Sequence, residues 1–249
     1  MFMVGQPLGI FWGAETNGIF ENWEQANASG IPNAAPGEIN YVNHSVEYDE
    51  LGNPSDNQVI DFDDYVKLGD PNPDFTFSIG SEFRYKNWDM SLLFTGQEGG
   101  DIFWVDSWQL SGLFRTRNHL SDSFDSSWKA PLSYSNGSVV YDPSVGNTIG
   151  VTNPAAIIEN GNRNTPSDRQ VFDGSFLRLK NINLGYNFNF KNGNSLRLYL
   201  SGQNLLTWTK YPGYDPEVRT YTRNPQKRGV DFGSYPGTKS YIFGLKFNY

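Results

Sequence analysis

The sequence has 249 residues and a formal net charge of −8, and it is rich in aromatic residues (16%), glycine (26 residues) and proline (14 residues). It contains no cysteine and two histidines, His44 and His119, which excludes disulfides and thiolate metal sites and argues against a histidine-based zinc site. Lysine and arginine are not clustered as a phosphate-binding surface requires, so we expect no nucleic-acid partner, and the composition is typical of a turn-rich β protein.

The negative charge is concentrated in one segment. Ten acidic residues and one basic residue, Lys67, lie between Glu38 and Asp74. We interpret this segment as a solvated acidic loop, because unpaired carboxylates belong in water. The alternative is a weak cation site, since calcium prefers oxygen ligands of this kind.

Five segments alternate apolar and polar residues with the two-residue period of a β-strand. They are Phe75 to Tyr85, Trp88 to Thr95, Lys180 to Phe190, Leu196 to Gln203 and Lys239 to Tyr249. A sixth, weaker candidate is Leu8 to Glu15. Upstream of the third segment, Leu177 and Leu179 have the opposite parity to Ile182, which predicts a β-bulge between them.

Short and long connections alternate between these strands. Residues 86–87 and 191–194 form tight turns, whereas 96–174 and 207–238 are long connections rich in Gly, Pro, Asn, Asp and Ser. In an antiparallel sheet all the tight turns then lie at one end, which is the pattern of outer-membrane barrels. The same order places Tyr249 on the periplasmic side.

The polar faces of the strands favour a barrel over a sandwich. The third strand carries a ladder of Asn181, Asn183, Asn187 and Asn189, which would be buried and unpaired in a sandwich core but would line a wet lumen in a barrel. No run approaches the roughly 18 apolar residues of a membrane helix, so any membrane role must use strands. Pattern alone leaves a soluble β-sandwich open, with the polar faces on its solvent side.

Catalysis is not supported by the sequence. Asp61, Asp63 and Asp64 could supply the paired carboxylates of a glycosidase, but adjacent loop acids are common and nothing nearby explains a raised pKa. No Gly-x-Ser-x-Gly elbow, P-loop or His-Glu-x-x-His motif occurs. We predict no enzymatic activity, no cofactor and no metal centre.

Three tryptophans in the longest connection are the candidate ligand-binding residues. Trp104, Trp108 and Trp128 could stack on sugar rings, because loops often carry function. They could equally anchor the loop to a barrel rim or pack it internally, as amphipathic aromatic residues do at interfaces.

Several sequence blocks resemble one family in the order of that family. Residues 173–186, which begin Asp-Gly-Ser-Phe-Leu-Arg-Leu-Lys-Asn, resemble the C-terminal region of SusC/RagA-type TonB-linked outer-membrane transporters. Further blocks that resemble the family are residues 9–13, 17–20, 68–73, 99–102, 198–211, 213–218 and 233–236. The resemblance covers nearly the whole chain, and the blocks together are highly specific.

The resemblance implies an all-β fold: residues 1–249 as the antiparallel C-terminal portion, about six strands, of a large transmembrane β-barrel with long extracellular loops. The plug and the N-terminal strands are expected to be absent. The implied function is a barrel-wall fragment of a TonB-dependent importer of glycans or peptides in the outer membrane of a Gram-negative cell. The alternative is a soluble carbohydrate-binding β-sandwich module.

The family also implies partners and an assembly signal. The expected partners are a SusD-like surface lipoprotein, TonB acting through the missing plug, the outer-membrane assembly machinery and the lipid bilayer. Barrels of this kind end on an aromatic residue, and Phe247 and Tyr249 match that signal. One departure concerns the calcium-loop-like stretch of the family, because Gln58 stands where its turn glycine is expected.

Overall fold

The computed structural model divides the chain into two compact units. Residues 1–69 and 103–171 form the first unit, and residues 70–102 and 172–249 form the second. The structure describes residues 4–32, 34–45, 49–51, 59–111, 118–129, 132–135, 138–141, 150–155, 165–218, 224 and 227–249.

Strands dominate the described residues. In chain order they are β1 (Phe11–Gly13), β2 (Thr16–Ile19), β3 (Ile39–Tyr41), β4 (Val66–Gly69), β5 (Pro73–Tyr85), β6 (Trp88–Gly99), β7 (Asp101–Trp104), β8 (Leu132–Ser135), β9 (Ser138–Tyr141), β10 (Val171–Asp173), β11 (Phe176–Asn189), β12 (Ser195–Thr209), β13 (Val230–Asp231) and β14 (Ser240–Asn248). Two short helices, α1 (Trp23–Ala28) and α2 (Ser107–Ser111), and the 3₁₀ turns Phe62–Asp64 and Asp168–Gln170 complete the elements. Neither described helix is long and apolar enough to cross a membrane.

The five long strands of the second unit form one antiparallel sheet in the order β14-β12-β11-β6-β5. All five strands predicted from alternation are therefore confirmed, as is the antiparallel all-β fold. The sixth candidate, Leu8 to Glu15, does not join this sheet. Its strand β1 pairs with β4 in the first unit, and Gly9, with φ of 82°, prevents an extended strand from starting earlier.

The pairing registers place each strand's apolar residues on one common face. Leu184 lies opposite Leu200 and Met90, and Leu200 lies opposite Phe243. Seven large side chains of this face are exposed to solvent: Ile79, Phe83, Leu184, Leu200, Phe243, Leu245 and Phe247. A sandwich would bury such a face against a second sheet, so its exposure argues against the sandwich.

The predicted bulge is confirmed in β11. The register shifts between Leu179 and Asn181 relative to both neighbouring strands. On β6 the partners Phe94 and Leu93 are consecutive, so Lys180 is the extra residue. Because of this one-residue insertion, residues 176–179 of β11 alternate between the two faces with the opposite parity to residues 181–189.

The first unit folds around its own small core. Buried members of this core are Ala14, Ile19, Ile39, Tyr41, Trp128 and Ala155. It contains the two-stranded sheets β1-β4, β2-β3 and β8-β9. The described part of the predicted connection 96–174 is therefore not one extended loop. Residues 103–171 pack with 1–69 because buried aromatic residues such as Trp128 give the connection a core.

We predict that the second unit's sheet self-associates when the 249-residue chain is produced alone, because β5 and β14 are edge strands with unpaired backbone groups and one face is apolar. Sedimentation in detergent-free buffer should show large assemblies. Replacing Ile79 and Phe243 by Lys, with Lys191→Gln as control, should reduce their size. A monodisperse soluble monomer of the unaltered chain would contradict the prediction.

Candidate functional site

The polar face of the five-stranded sheet is lined by side chains that hydrogen-bond to one another. Asn183 Nδ2 donates to Ser91 Oγ at 3.1 Å and to Asn181 Oδ1 at 2.6 Å. Nearer the tight turns, Asn187 Nδ2 donates to Asp89 Oδ1 at 3.0 Å. These groups are half-buried and satisfied, which is how polar side chains persist on a face that water can reach.

Glycine allows large side chains to lie flat on this face. A Cβ atom at Gly185 would stand 2.7 Å from the paired side chains of Asp89 and Arg197. On β14, Gly244 leaves room for the ring of Tyr199 of β12, and the Arg197 guanidinium lies 5.5 Å from that ring's centroid. Glycines on the polar face therefore leave room for the Asp89–Arg197 pair and for the Tyr199 ring.

A buried arginine lies at the opposite end of the same face. The bulge places Arg178 opposite Thr95 and Thr207, so its side chain is on the polar side and only 3% exposed. Its Nη2 donates to Asp215 Oδ1 at 2.5 Å, its Nη1 to Glu217 Oε2 at 2.5 Å and its Nε to Thr207 Oγ1 at 3.0 Å. Two carboxylates thus compensate one buried cation.

Asp215 organises the connection between β12 and β14. Its carboxylate also accepts the backbone N–H of Glu217 and of Gly237, each at 2.9 Å. Burial would raise the pKa of Asp215, but the Arg178 guanidinium and the two N–H groups outweigh it and hold the pKa below its ordinary value of 3.8. Asp215 is therefore ionised in the folded protein at neutral pH.

A second buried carboxylate stabilises the same connection. The Tyr211 hydroxyl donates to Asp231 Oδ2 at 2.6 Å, and the Ser234 N–H donates to Asp231 Oδ1 at 2.8 Å. Asn204, with φ of 52° in β12, donates from Nδ2 to the Thr238 carbonyl at 3.1 Å. The connection is thus attached to the sheet and to itself at several points.

The predicted tryptophan ligand site is not gathered on one exposed surface. Trp104 and Trp128 are buried, and Trp128 Nε1 donates to the Glu21 carbonyl at 3.3 Å within the first unit's core. Trp108 is half-buried beside Arg169, at a cavity of about 20 Å³, which is room for about one water molecule. Sugar stacking by these three tryptophans stays a prediction.

One carboxylate of the acidic segment, that of Asp64, is buried and hydrogen-bonded within the fold. Asp64 is buried and accepts the backbone N–H groups of Asp61, His44 and Ser45 at 2.9 to 3.0 Å. Burial raises the pKa of Asp64, but these donors together lower it. Gln58 lies outside the described residues, and within those described no group of three or more His, Cys, Asp or Glu side chains could hold a metal ion.

The two residues of the proposed assembly signal lie on the last strand and just beyond it. Phe247 pairs with Leu196 on the apolar face and is exposed. Tyr249 follows β14 and is also exposed.

The sequence analysis did not predict the Arg178 cluster. The parity change at Leu179 was the one local signal that side chains exchange faces at this point of β11.

Comparisons with known proteins place the chain among relatives much longer than itself. It is 33% identical to TonB-dependent receptor P3 of Formosa agariphila over 98% of the chain and 22% of the relative. It is 28% identical to TonB-dependent receptor SusC of Bacteroides thetaiotaomicron over 84% of the chain and 19% of the relative. The chain thus spans about a fifth of the length of these curated relatives. No family model matches the chain.

Solved structures show the same fold. A chain of the RagAB peptide importer in its "closed-closed" state has 19% identity and a TM-score of 0.57, covering 96% of this chain and 23% of that one. The "open-open" state gives 18% identity and a TM-score of 0.58, covering 100% and 24%. At this identity the likeness concerns the fold alone.

We predict that Arg178→Met lowers the free energy of unfolding of the full-length protein by about 3–5 kcal/mol, because the buried Asp215 and the half-buried Glu217 lose this cation. Arg197→Met is the matched control on the same face and should cost about 1 kcal/mol or less, since its pair with Asp89 is partly exposed. Urea unfolding in detergent measures both. Equal losses would contradict the special role of Arg178.

The same cluster predicts a pH dependence. Folding lowers the pKa of the Asp215 carboxyl, so its ionised form stabilises the folded protein. This stabilisation is complete at pH values above the ordinary pKa of 3.8. It is lost as the pH falls from 3.8 through the lower pKa of the folded protein. The stability gap between wild type and Asp215→Asn should therefore be constant near neutral pH and should narrow below about pH 4. A gap that widens in acid would contradict this.

Proposed function

We propose that this chain, a relative of TonB-dependent receptors such as SusC, forms part of the barrel wall of an outer-membrane importer. The observation that carries the proposal is the two-sided sheet: one face exposes large apolar side chains, and the other carries polar side chains that hydrogen-bond to one another. Lipid on one side and a wet lumen on the other suit both faces at once.

The proposed orientation follows from the sheet. Residues 1–249 would belong to the C-terminal barrel region of the importer, with the edges of β5 and β14 pairing to further barrel strands. The tight turns at 86–87 and 190–194 would face the periplasm, and the connections after β6 and β12 would face the outside. The soluble carbohydrate-binding sandwich is not favoured, because nothing in the described residues would bury the apolar face.

The proposed role is structural within an active transporter. The wall would contact the lipid bilayer, while TonB would supply energy through a plug and a SusD-like surface lipoprotein would cover the outer opening. The cargo would be glycans or peptides, and the chain itself would catalyse no reaction. The location would be the outer membrane of a Gram-negative cell.

The lipid and lumen assignment can be tested with neighbouring residues on the same strands. We predict that Ser91→Cys and Asn183→Cys in the full-length protein react with a membrane-impermeant thiol reagent in outer-membrane vesicles opened on the periplasmic side. Leu92→Cys and Leu184→Cys, one residue away, should stay unreacted because lipid covers them. Labelling by mass shift measures this, and the reverse pattern would refute the orientation.

The assembly signal gives a second test of the proposal. Phe247→Ser with Tyr249→Ser should reduce barrel insertion in cells at least about tenfold more than a pair of substitutions that loses a similar apolar area, because recognition is lost in addition to burial. Tyr241→Ser with Phe243→Ser, on the same strand, is the matched control for lost apolar area. Heat-modifiable barrel in membranes is the readout.

If the end pair and the control pair insert equally well in cells, the last strand is not read by the assembly machinery. Refolding into detergent separates recognition from stability, because no assembly machinery is present there. Both pairs should then refold to similar yields. A refolding defect confined to the end pair would mean that the two residues act through stability alone.

A further inference from the structure

The apolar face of the five-stranded sheet carries a groove that begins beside the tight turns. Its volume is about 580 Å³, which lies within the range of about 300–1,000 Å³ that is typical of ligand sites. Each strand that lines it contributes side chains of its apolar alternation. We name it the wall groove and define it by six of the residues that line it: Trp88, Leu184, Tyr186, Phe188, Leu198 and Phe243.

The strand pairings that form the wall groove are complete within the described sheet. Trp88 of β6 lies opposite Tyr186 of β11, and Tyr186 lies opposite Leu198 of β12. Further along β12, Leu200 lies opposite Phe243 of β14. A further barrel strand at the free edge of β5 or β14 would leave these pairings unchanged. We therefore expect the groove to persist in a complete barrel wall.

Three packed rings shape the end of the groove that lies beside the tight turns. The centroid of the Tyr186 ring is 4.8 Å from that of Trp88 and 4.6 Å from that of Phe188, with interplanar angles of 70° and 64°. Such edge-to-face contacts are favourable and restrict the positions of the rings. A groove whose shape is already restricted binds a ligand with a smaller loss of entropy than a surface that must first become ordered.

A lysine side chain lies on the same side of the sheet as the groove. Lys86 is exposed in the tight turn between β5 and β6, and its Nζ lies 5.3 Å from the centroid of the Tyr85 ring. Tyr85 lies directly opposite Trp88, so these two side chains are neighbours on the apolar face. The contact with Tyr85 thus places the Lys86 ammonium beside the ring cluster of the groove.

No side-chain carboxylate of the described strands lies beside this cation on the apolar face. In residues 79–94 the acidic residues are Glu82 and Asp89, and both alternate onto the polar face. Asp89 is paired there with Arg197. Residues 180–209 and 240–248 contain no acidic residue. The described surroundings of the groove are therefore apolar, with a cation at the end beside the tight turns.

This combination of an apolar groove and a cation fits a phospholipid. A hydrocarbon chain fills an apolar groove without leaving a polar group unpaired, and a lysine ammonium pairs with a phosphate. Tryptophan and tyrosine are enriched at the level of lipid headgroups, which is where Tyr85 and Trp88 lie if the tight turns face the periplasm. A zwitterionic headgroup carries its own ammonium beside the phosphate, so Lys86 favours an anionic phospholipid. A protein partner fits less well, because the rim of a protein interface is typically polar and hydrogen-bonded.

We propose that the wall groove binds an acyl chain of an anionic phospholipid from the periplasmic leaflet and that Lys86 binds the phosphate of the same molecule. The inference rests on the proposed function, in which the apolar face contacts lipid and the tight turns face the periplasm. It goes further in assigning one discrete site. That site retains one lipid molecule when detergent replaces the surrounding bilayer.

The test uses the full-length protein in detergent, first depleted of lipid, and native mass spectrometry with three probes that have identical acyl chains. The probes are phosphatidylglycerol, phosphatidylcholine and diacylglycerol. Phosphatidylglycerol should form a one-lipid complex more tightly than phosphatidylcholine, and diacylglycerol should bind most weakly because it has no phosphate. Lys86→Gln should weaken the binding of phosphatidylglycerol by about fivefold and remove its advantage over phosphatidylcholine.

A second variant tests the groove itself. Leu184→Trp should remove most of the bound lipid, because the indole ring would occupy the groove. Ile79→Trp is the matched control, since Ile79 is exposed on the same face but does not line the groove. Lys239→Gln is the control for Lys86→Gln, because Lys239 is an exposed cation at the opposite end of the sheet. Both controls should retain lipid as the wild type does.

Lys86→Gln alters only an exposed side chain, so it keeps the test valid if Leu184→Trp does not fold, and heat modifiability verifies the barrel in each variant. Four results would overturn the inference. They are no one-lipid complex with phosphatidylglycerol, equal binding of the two phospholipids, unchanged binding in both Lys86→Gln and Leu184→Trp, and loss of a dimer instead of lipid in Leu184→Trp. The last result would mean that a second copy of the chain covers the groove.

The proposed function is tested separately by thiol labelling of the wall. Correct labelling without a retained phospholipid would overturn this inference while leaving the barrel role in place.

Discussion

The constraint on which the structure depends is that one antiparallel sheet must satisfy two different surroundings at once. Side chains alternate strictly between faces, so every polar residue of β11 commits its neighbours to the apolar side. The registers keep this agreement across all five strands, with Leu184, Leu200 and Phe243 on one side and Asn183, Ser91 and Ser201 on the other. A shift of one residue in any strand would reverse both faces.

In β11 this alternation is interrupted at one place, the bulge at Lys180. Without the extra residue, Leu177 and Leu179 would be on the polar face and Arg178 on the apolar one. The insertion exchanges them, so the leucines join the apolar face and the guanidinium reaches Asp215 and Glu217. A local irregularity of the strand thus produces the buried ion cluster that attaches the following connection to the sheet.

The limits of sequence reasoning follow from the range of the interactions concerned. The five strands and the bulge were predictable because alternation is local and is visible in residues such as Ile182 and Leu179. The pairing of β1 with β4, the burial of Trp128 and the contact of Arg178 with Asp215 each join residues far apart in the chain. No local pattern specifies such partners. The sixth candidate is confirmed as a strand only over Phe11–Gly13, and its pairing with β4 joins distant residues that its short alternation does not specify.

The Arg178 cluster also shows why the net charge of the chain does not describe the connection after β12. A buried guanidinium requires carboxylates, and the connection after β12 supplies Asp215 and Glu217 for it. Asp231 is turned inward by Tyr211 and Ser234 in the same connection. The acids are therefore used for folding, and the lysines and Arg228 are left facing solvent beside exposed rings. The hydrogen bonds that stabilise this connection therefore also determine which of its charged groups are buried, so we expect a substitution at Arg178 to affect both.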